Sequence, residues 1–400
     1  MGQKGTIELL RKTQRRACLS ITGSMRTTPT TALEVILDLP PLHIFLTGEA
    51  KSAALRLLRR PGRPTQTSSY QYRRLHEETE ADPILGLPSD RMTPRFMFDK
   101  KYKVSIPERA AWKKGPPHHA DMTWYTDGSK IGDKAGAGIW GDHGRTKIPI
   151  PLGRFVTVFQ SEVVAILQCA QMLLRRKIRD KKITIYSDSQ AALKALNAYQ
   201  TESKLVWESM NLLDELGELN QLTISWVPGH AGIRGNEEAD GTARMGSAVS
   251  PIGPEPQCAV ADCIKKAEIG KWMQKKSQDW WKSSPGQRQA KQFIEERRPR
   301  FTKDLLNHRR NVVRIVVGLM TGHCRLNNHM NHLNLAERSV CRFCQEEKET
   351  SEHVLCRCKN LAAVRFQKLG EEEPRADSYI KEPVSKLWSL VKTLKLDTVL

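Results

Sequence analysis

The feature that most constrains the fold of this chain is an alternation of short apolar runs with longer amphipathic runs between residues 121 and 245. Residues 122–126 alternate as a half-buried strand does, and residues 160–175 repeat apolar side chains at helical spacing. The predicted order is β-β-β-α-β-α-α-β-α over about 130 residues, which is the size of one ordinary domain. Such alternation predicts an α/β domain with helices packed on a sheet.

Four acidic side chains fall within or just after these predicted elements. Asp127 and Asp188 each follow a predicted strand, whereas Glu162 and Asp240 lie on predicted helices. If the two strands are central neighbours, their ends bring the carboxylates together. Carboxylate oxygens are the ligands that Mg²⁺ prefers, and two such ions can stabilise the attacking and the leaving oxygen of a phosphodiester displacement. We therefore expect two Mg²⁺ ions, or Mn²⁺ in their place, on these four residues, as in a metal-dependent nuclease.

A histidine accompanies the acids in the loop before the last predicted helix. His230 lies between glycines in the run Pro228-Gly229-His230-Ala231-Gly232. An imidazole has an unperturbed pKa of about 6.5 and can transfer protons at neutral pH. A glycine-flanked loop is also an exposed setting in which a buried structural role is uncommon. We predict His230 as a fifth catalytic residue.

The charge of the chain indicates a polyanionic partner. Its 64 basic and 44 acidic residues give a net charge of +20. A basic surface binds nucleic acid by releasing condensed counterions, although an anionic membrane surface attracts it too. No apolar run approaches the roughly 18 residues of a membrane span, and the N-terminus carries no signal-peptide pattern. We expect an intracellular protein, nuclear or cytoplasmic and not secreted, with basic segments on a phosphate backbone; the oligomeric state stays open.

Composition divides the rest of the chain into further segments. Residues 1–60 predict a basic helical segment, and the proline- and arginine-rich run at residues 59–64 opens a mostly irregular linker over 61–118. The α/β domain spans 119–248 and is followed by a basic helical region over 249–335. Within it, residues 265–314 hold fifteen Lys/Arg and five Asp/Glu. Aromatic side chains lie between these charges, which favours either a single-strand binder or a helical core with a solvated basic face. They are Trp272, Trp280, Trp281 and Phe293.

The C-terminal part contains a cysteine–histidine cluster. Cys341, Cys344, His353 and Cys358 have the number and spacing of ligands for a tetrahedral Zn²⁺, with Cys356 as a competing fourth ligand. We predict a structural zinc knuckle over 336–362, followed by a helical tail over 363–400. Reduced free thiols beside an unrelated histidine are the alternative. Four protein ligands leave no open position, so a catalytic zinc is not expected.

Four sequence blocks carry a family resemblance. TDGS, SEVVAI, YSDSQAAL and WVPGHAGIRGNEEAD resemble, in order and spacing, the signature blocks of ribonuclease H across about residues 119–248. The resemblance implies a mixed five-stranded sheet flanked by helices and cleavage of the RNA strand of RNA–DNA hybrids. It makes Asp127, Glu162, Asp188 and Asp240 the metal carboxylates and His230 the mobile histidine.

The resemblance also implies residues that contact the substrate. Gln190 and Asn236 match positions that contact the hybrid. Their amides, with the backbone NH groups around Gly128 and Ser129, are suitable donors to a 2′-hydroxyl, the group that distinguishes RNA from DNA.

The flanking segments extend the resemblance to a larger protein. The run Gly322-His323 followed by CRFC and EHVLCRC is similar to the C-terminal end of a non-LTR retrotransposon polyprotein. Residues 7–58 resemble the tail that follows the polymerase in those proteins. The chain has no Asp-Asp dipeptide, so no polymerase motif is present and reverse transcription is not assigned. The expected protein is a C-terminal fragment or a degenerate copy of such an element.

Two other functions stay open at the level of sequence. One is a catalytically inactive nucleic-acid-binding remnant of a retroelement, against which the four intact carboxylates argue. The other is a transposase or integrase of the same fold, against which the Gly-His loop before Asp240 argues.

Overall fold

The computed structural model describes residues 4–58, 69–141 and 146–399. The run at 59–64, predicted to open a linker, lies outside the described residues. The α-helices are α1 Lys4–Thr22, α2 Thr30–Ile36, α3 Leu42–Leu58, α4 Tyr70–Glu80, α5 Val158–Arg175, α6 Gln190–Asn197, α7 Lys204–Leu219, α8 Arg234–Ala248, α9 Asp262–Ser283, α10 Arg288–Phe293, α11 Pro299–Leu306, α12 Arg310–Thr321, α13 Asn327–His332, α14 Ala362–Leu369 and α15 Val384–Thr393. The strands are β1 Arg91–Phe96, β2 Tyr102–Ser105, β3 Met122–Ile131, β4 Lys134–Gly141, β5 Thr146–Gly153, β6 Lys182–Ser187, β7 Gln200–Ser203 and β8 Gln221–Trp226.

The chain forms two compact units. One, the sheet unit, is Lys51–Glu268, and the other, the helical unit, combines Met1–Ala50 with Ile269–Leu400. The two ends of the chain therefore belong to one folded unit. The six consecutive segments predicted from composition do not anticipate this grouping, since the N-terminal segment shares its core with residues that follow the sheet unit.

A mixed six-stranded sheet forms the centre of the sheet unit. Its strand order is β2-β8-β6-β3-β4-β5. Strands β2, β8, β6 and β3 run parallel, whereas β4 is antiparallel to both β3 and β5. Helices flank this sheet, which confirms the predicted ribonuclease H-like α/β fold. The expected count of five strands is wrong by one, because β2 adds a sixth strand at the edge beside β8.

The added strand comes from the region predicted as a linker. That region also holds α4 and β1, and β1 pairs with β7 in a separate two-stranded ribbon. The prediction of a mostly irregular connection over 61–118 is therefore wrong for these elements. Strands β1 and β2 are six and four residues long and are stabilised by pairing with partners about a hundred residues away. Short runs with such distant partners carry little local signal.

Small residues in β4 let α8 pack directly against the sheet. A Cβ at Gly138 would lie 2.3 Å from the backbone nitrogen of Ala243, and one at Gly136 would lie 2.1 Å from that of Ser247. The helix therefore rests on the strand backbone itself. The other face of the sheet packs on α5 through fully buried side chains, among them Val163, Ile166 and Ala170.

The helical unit has a core drawn from both ends of the chain. Cys18, Leu33 and Ile36 share one cluster of buried side chains with Val316 and Leu319 of α12. Trp281 and Phe293 belong to the same cluster and are 2% and 0% exposed. Of the two interpretations of the basic region, the core interpretation therefore holds for these two aromatics.

None of the helices in the described residues is both long and apolar enough to span a membrane.

Candidate active site and cysteine cluster

The sheet register places two aspartates side by side. Strand β3 lies between β6 and β4, and Thr126 of β3 pairs in parallel with Ser187 of β6. The next residues along the chain are Asp127, which lies within β3, and Asp188, which directly follows β6, so the two carboxylates lie side by side. The Thr126 hydroxyl donates to the carbonyl of Tyr186 at 3.1 Å, which ties the strands together next to the acids.

Glu162 reaches these two carboxylates from the first turns of α5. Thr157 caps this helix in a capping box with Gln160, in which the Gln160 NH donates to the Thr157 hydroxyl at 3.1 Å. The helix start packs against Gly128, where a Cβ would lie 2.5 Å from the Glu162 backbone nitrogen. Only glycine permits this approach without a backbone shift. The ligand oxygens of Asp127, Glu162 and Asp188 all lie within 4.8 Å of one another.

Asp240 approaches from α8. Gly138, which pairs with Asp127 across β3 and β4, is also the residue whose Cβ would lie 2.5 Å from the Ala239 carbonyl oxygen. The close packing of α8 thus brings Asp240 near Asp127. Arg244, one turn further along the helix, donates to the Asp240 carboxylate at 2.6 Å.

Burial and mutual repulsion make these acids hard to ionise. Burial, followed by the carboxylates of Asp188 and Asp240, raises the pKa of Asp127 to about 8. Burial and then Asp127 raise the pKa of Glu162 well above its usual range. Burial also raises the pKa of Asp188, whereas hydrogen bonding from Asn236 opposes the rise. A bound cation would reverse this preference for the neutral form.

The donor set fits a hard divalent cation. Its atoms are carboxylate oxygens, the ligands that Mg²⁺ selects. Glu162 Oε2 is buried and has no hydrogen-bond partner among the described residues. A buried carboxylate oxygen without a donor costs free energy, and a metal ion would satisfy it. The residues present therefore fit the predicted magnesium site.

His230 lies in the predicted exposed loop. It is a non-glycine residue with a φ of 50°, and Gly232 two residues later also has a positive φ. Gly229 lets the loop run close to the acids, since a Cβ there would lie 2.7 Å from Asp188 Oδ2. Ligand atoms of His230, Glu237 and Asp240 lie within 4.8 Å of one another. Sequence reasoning missed Glu237, although its position directly after Asn236 places it in the first turn of α8.

The predicted substrate contacts differ in exposure. Gln190 is exposed as the first residue of α6, after the Ser189 cap, whereas Gly128 and Ser129 are half-buried in β3. Asn236 is 2% exposed, and its Nδ2 donates to Asp188 Oδ2 at 3.4 Å. This contact orients Asp188, a role that sequence reasoning did not give to Asn236. Trp226, also missed, donates from Nε1 to the Asp188 carbonyl at 3.1 Å.

The cysteine–histidine cluster assembles in the helical unit. Ligand atoms of Cys341, Cys344, His353 and Cys358 lie within 4.8 Å of one another, with Cys344 Sγ 3.3 Å from His353 Nε2. Cys356 does not belong to this group. Backbone NH groups of Glu347 and Glu346 lower the pKa of Cys344 to about 6, which favours the thiolate that binds a metal. Four such ligands suit tetrahedral Zn²⁺.

Comparison with known proteins agrees with this geometry. The family model described as RNase H matches residues 119–248. The ribonuclease H of Cupriavidus metallidurans is 31% identical over 144 residues, which cover 32% of this chain and 96% of the bacterial protein. The chain belongs to the ribonuclease H family.

Two further relatives are longer proteins. Ribonuclease H1 of Mus musculus is 33% identical over 141 residues, and the Gag-Pol polyprotein of bovine immunodeficiency virus is 32% identical over 145 residues. The matches cover 31% and 35% of this chain, respectively, but only 49% of the mouse protein and 9% of the viral one. The family predicted from the four ribonuclease H blocks is thus confirmed.

Proposed function

We propose that this ribonuclease H family member is an endoribonuclease that hydrolyses the RNA strand of RNA–DNA hybrids with two Mg²⁺ ions, or Mn²⁺ in their place. The observation that carries the proposal is the convergence of ligand oxygens of Asp127, Glu162 and Asp188 within 4.8 Å. Burial, then Asp188 and then Asp240 raise the pKa of Asp127, so Asp240 also acts on this group. Three carboxylates in so small a space, with Asp240 acting on one of them, oppose one another unless cations lie between them. When bound, the two ions would supply charge stabilisation for the phosphodiester displacement.

The side chains of this chain divide the remaining work. The three clustered carboxylates hold their positions through the strand register and the Gly128 contact with α5. Asn236 keeps Asp188 oriented through its amide. His230, exposed on its loop, is placed to carry a proton to or from the reacting phosphate, because histidine is the side chain that most often transfers protons in catalysis.

Selection of RNA would depend on the 2′-hydroxyl. This group is both a donor and an acceptor and distinguishes RNA from DNA. The Gln190 amide is exposed beside Asp188, and the Gly128 NH lies on the strand that carries Asp127. These groups, with Ser129, are the proposed contacts to the hybrid, whereas buried Asn236 acts mainly through Asp188.

The test is incubation of the full chain with labelled RNA–DNA hybrid, duplex DNA and duplex RNA in Mg²⁺. We expect cleavage of the hybrid alone, and we expect the Asp127→Asn variant to bind but not cleave. Cleavage that survives this substitution would remove Asp127 from the site. Hybrid binding without cleavage by the wild type would favour an inactive nucleic-acid-binding remnant. Strand transfer into duplex DNA would favour a transposase or integrase.

The cysteine–histidine cluster is proposed as a structural zinc site. Glu347 Oε2 lies 3.3 Å from His353 Nδ1, the kind of contact that orients a ligating imidazole. We expect one Zn²⁺ per chain by metal analysis. Cys358→Ser should lose the ion, whereas Cys356→Ser, a buried neighbour outside the cluster, should keep it. Equal loss in both variants would reject the ligand assignment.

A retroelement origin is the proposal for the whole chain. The cysteine–histidine cluster that follows the ribonuclease H region and the match to a Gag-Pol polyprotein support it. In such a protein the basic segments would bind nucleic acid backbone. Genomic sequence upstream of the coding region tests the idea, because a retroelement predicts a reverse-transcriptase reading frame there. An unrelated host gene structure with no such frame would argue against it.

A further inference from the structure

Three exposed aromatic rings form a ladder, and none of them belongs to the proposed catalytic residues. The catalytic edge is the end of the sheet that carries Asp127 and Asp188. Phe96, Phe98 and Tyr199 are 51%, 76% and 61% exposed. The Phe98 ring is stacked with Phe96 at a centroid distance of 6.1 Å and with Tyr199 at 6.0 Å, and the ring planes differ by 12° and 11°. Large exposed apolar side chains that lie together mark interaction sites more often than isolated ones do.

The ladder is held in place by backbone pairing. Phe96 ends β1 and pairs with Gln200 of β7, and the Met97 NH donates to the Tyr199 carbonyl at 2.9 Å. Phe98 and Tyr199 lie within two residues of the strand ends, so the three rings are carried at one end of this two-stranded ribbon. A flat ring surface on a rigid support loses little conformational entropy when a ligand stacks on it.

The segment that carries the two phenylalanines is basic, although Arg91 at its start is paired with Glu202 and Asp262. Residues 91–103 contain five Lys/Arg and one acid, Asp99. Arg95 and Lys101 are exposed on either side of the two phenylalanines. Aromatic faces combined with basic side chains are the components of surfaces that bind single-stranded nucleic acid, because the bases stack and the phosphates pair with cations. A neutral or basic protein partner would not match this charge.

Helix α6 connects the ladder to the catalytic edge. The helix begins at Gln190, two residues after Asp188, and ends at Asn197, two residues before Tyr199. Lys100 Nζ donates to the carbonyls of Leu196 and Ala198 at 2.8 Å, which fixes the ladder segment to the end of this helix. Eight residues of α-helix span about 12 Å. That length corresponds to about four nucleotides along a strand.

We propose that the ladder of Phe96, Phe98 and Tyr199 binds unpaired bases of a single strand that continues from the hybrid beyond the cleavage site. Unpaired bases are required because the faces of paired bases are already occupied within the duplex. This inference rests on the proposed function in one respect, namely that the bound duplex is an RNA–DNA hybrid. The stacking of bases on the three rings does not depend on it. Such stacking makes a hybrid with a single-stranded extension the preferred substrate.

The test measures the affinity of the full chain by fluorescence anisotropy in the Asp127→Asn background, which leaves the hybrid intact. The probes are a blunt RNA–DNA hybrid and the same hybrid with a short oligothymidine extension on either strand end. We expect the extension on one end to tighten binding about tenfold, which corresponds to one stacked base. Phe98→Ala should abolish this gain without changing the affinity for the blunt hybrid or the melting temperature.

Matched variants separate stacking from charge and from general surface effects. Phe98→Tyr should keep the gain, and Ile252→Ala, at a side chain that is 98% exposed elsewhere on the same unit, should leave it unchanged. Arg95→Gln should make the salt dependence of extension binding shallower by about 0.7 in the logarithmic slope.

Equal affinity for blunt and extended hybrids, or a gain that survives Phe98→Ala, would overturn the proposal. A wild-type chain that cleaves no hybrid but binds the extension through Phe98 would overturn the proposed function alone.

Discussion

At the scale of single residues, glycines decide whether the acids can meet. Gly128 accepts the start of α5, and Gly138 accepts α8. The nearest atom in each contact belongs to the backbone, so rotation of a side chain cannot make room. The carboxylates are recognisable in the sequence, but the distances between them in the fold depend on glycines, which carry no functional group.

The first prediction concerns Gly128→Ala. The added Cβ would lie 2.5 Å from the Glu162 nitrogen, and the forced shift should cost about 1–3 kcal/mol of unfolding free energy and most of the activity. The matched control is Gly241→Ala within α8, where no atom lies within 4 Å of the new Cβ. That change should stabilise the protein by up to about 1 kcal/mol, because alanine favours a helix over glycine. Chemical denaturation and hybrid cleavage measure both, and an unaffected Gly128→Ala variant would contradict the packing argument.

The second prediction concerns pH and metal. The pKa of Asp127 is about 8 in the folded protein but about 4 in an unfolded chain. Between these values the native state binds more protons than the unfolded state, so without divalent ions stability should fall as pH rises from about 5 to 8. Saturating Mg²⁺ should remove this fall, because it favours the ionised carboxylates.

Melting curves with a chelator or with Mg²⁺ check the pH dependence. Asp127→Asn should make the metal-free profile shallower, since one of the proton-binding groups is gone. A metal-free profile that rises over this range, or one that Mg²⁺ does not alter, would contradict the arrangement of the acids.

At the scale of elements, the position of Glu162 depends on where α5 starts. The Thr157 side chain and Gln160 form the capping box that sets this start five residues before Glu162. A cap satisfies backbone NH groups that otherwise have no partner in the first turn. The start of α5 therefore links the local sequence to the position of Glu162 in the proposed metal site.

The third prediction is that Thr157→Ala costs about 1 kcal/mol of stability and weakens Mg²⁺ binding by allowing the helix start to fray. Thr157→Ser keeps a hydroxyl acceptor and should behave as the wild type. Isothermal titration with Mg²⁺ and urea denaturation measure the two effects. If alanine and serine give the same result, the capping hydroxyl does not position Glu162.

The elements that sequence patterns missed share a physical property. Strands β1 and β2 are short and acquire their structure by pairing with β7 and β8. By contrast, α5 has a long apolar pattern of its own, and the predicted helix at residues 160–175 agrees with its observed bounds within two residues. A local sequence pattern predicts a helix or strand whose own apolar side chains form a buried face. It does not predict a short strand that forms only by pairing with a distant strand.

At the scale of the whole molecule, the two ends of the chain share one core. Leu33 near the N-terminus is fully buried in the same cluster as Val316 of α12. Such a core forms only after residues about 280 positions apart have met, and sequence composition does not report this pairing.

The fourth prediction concerns the helical unit and the sheet unit, which have separate cores. Leu33→Ala should cost about 2–5 kcal/mol through cavity formation in the helical unit. Hydrogen exchange should then quicken across α12 but not across β3. Ile166→Ala, equally buried in the sheet unit, should give the reverse pattern. Faster exchange in both α12 and β3 in either variant would show that the two units unfold together.

The sequence by itself determined the α/β core, and it singled out the four carboxylates, His230 and the cysteine–histidine cluster as candidate site residues. Periodicity and chemically distinctive side chains are local properties that need no knowledge of distant contacts. Only the tertiary structure decided the sixth strand, the selection of Cys358 over Cys356, the burial of Trp281 and the aromatic ladder. Each of these depends on which remote segments pack together, since burial and contact are properties of the folded chain rather than of the local residues.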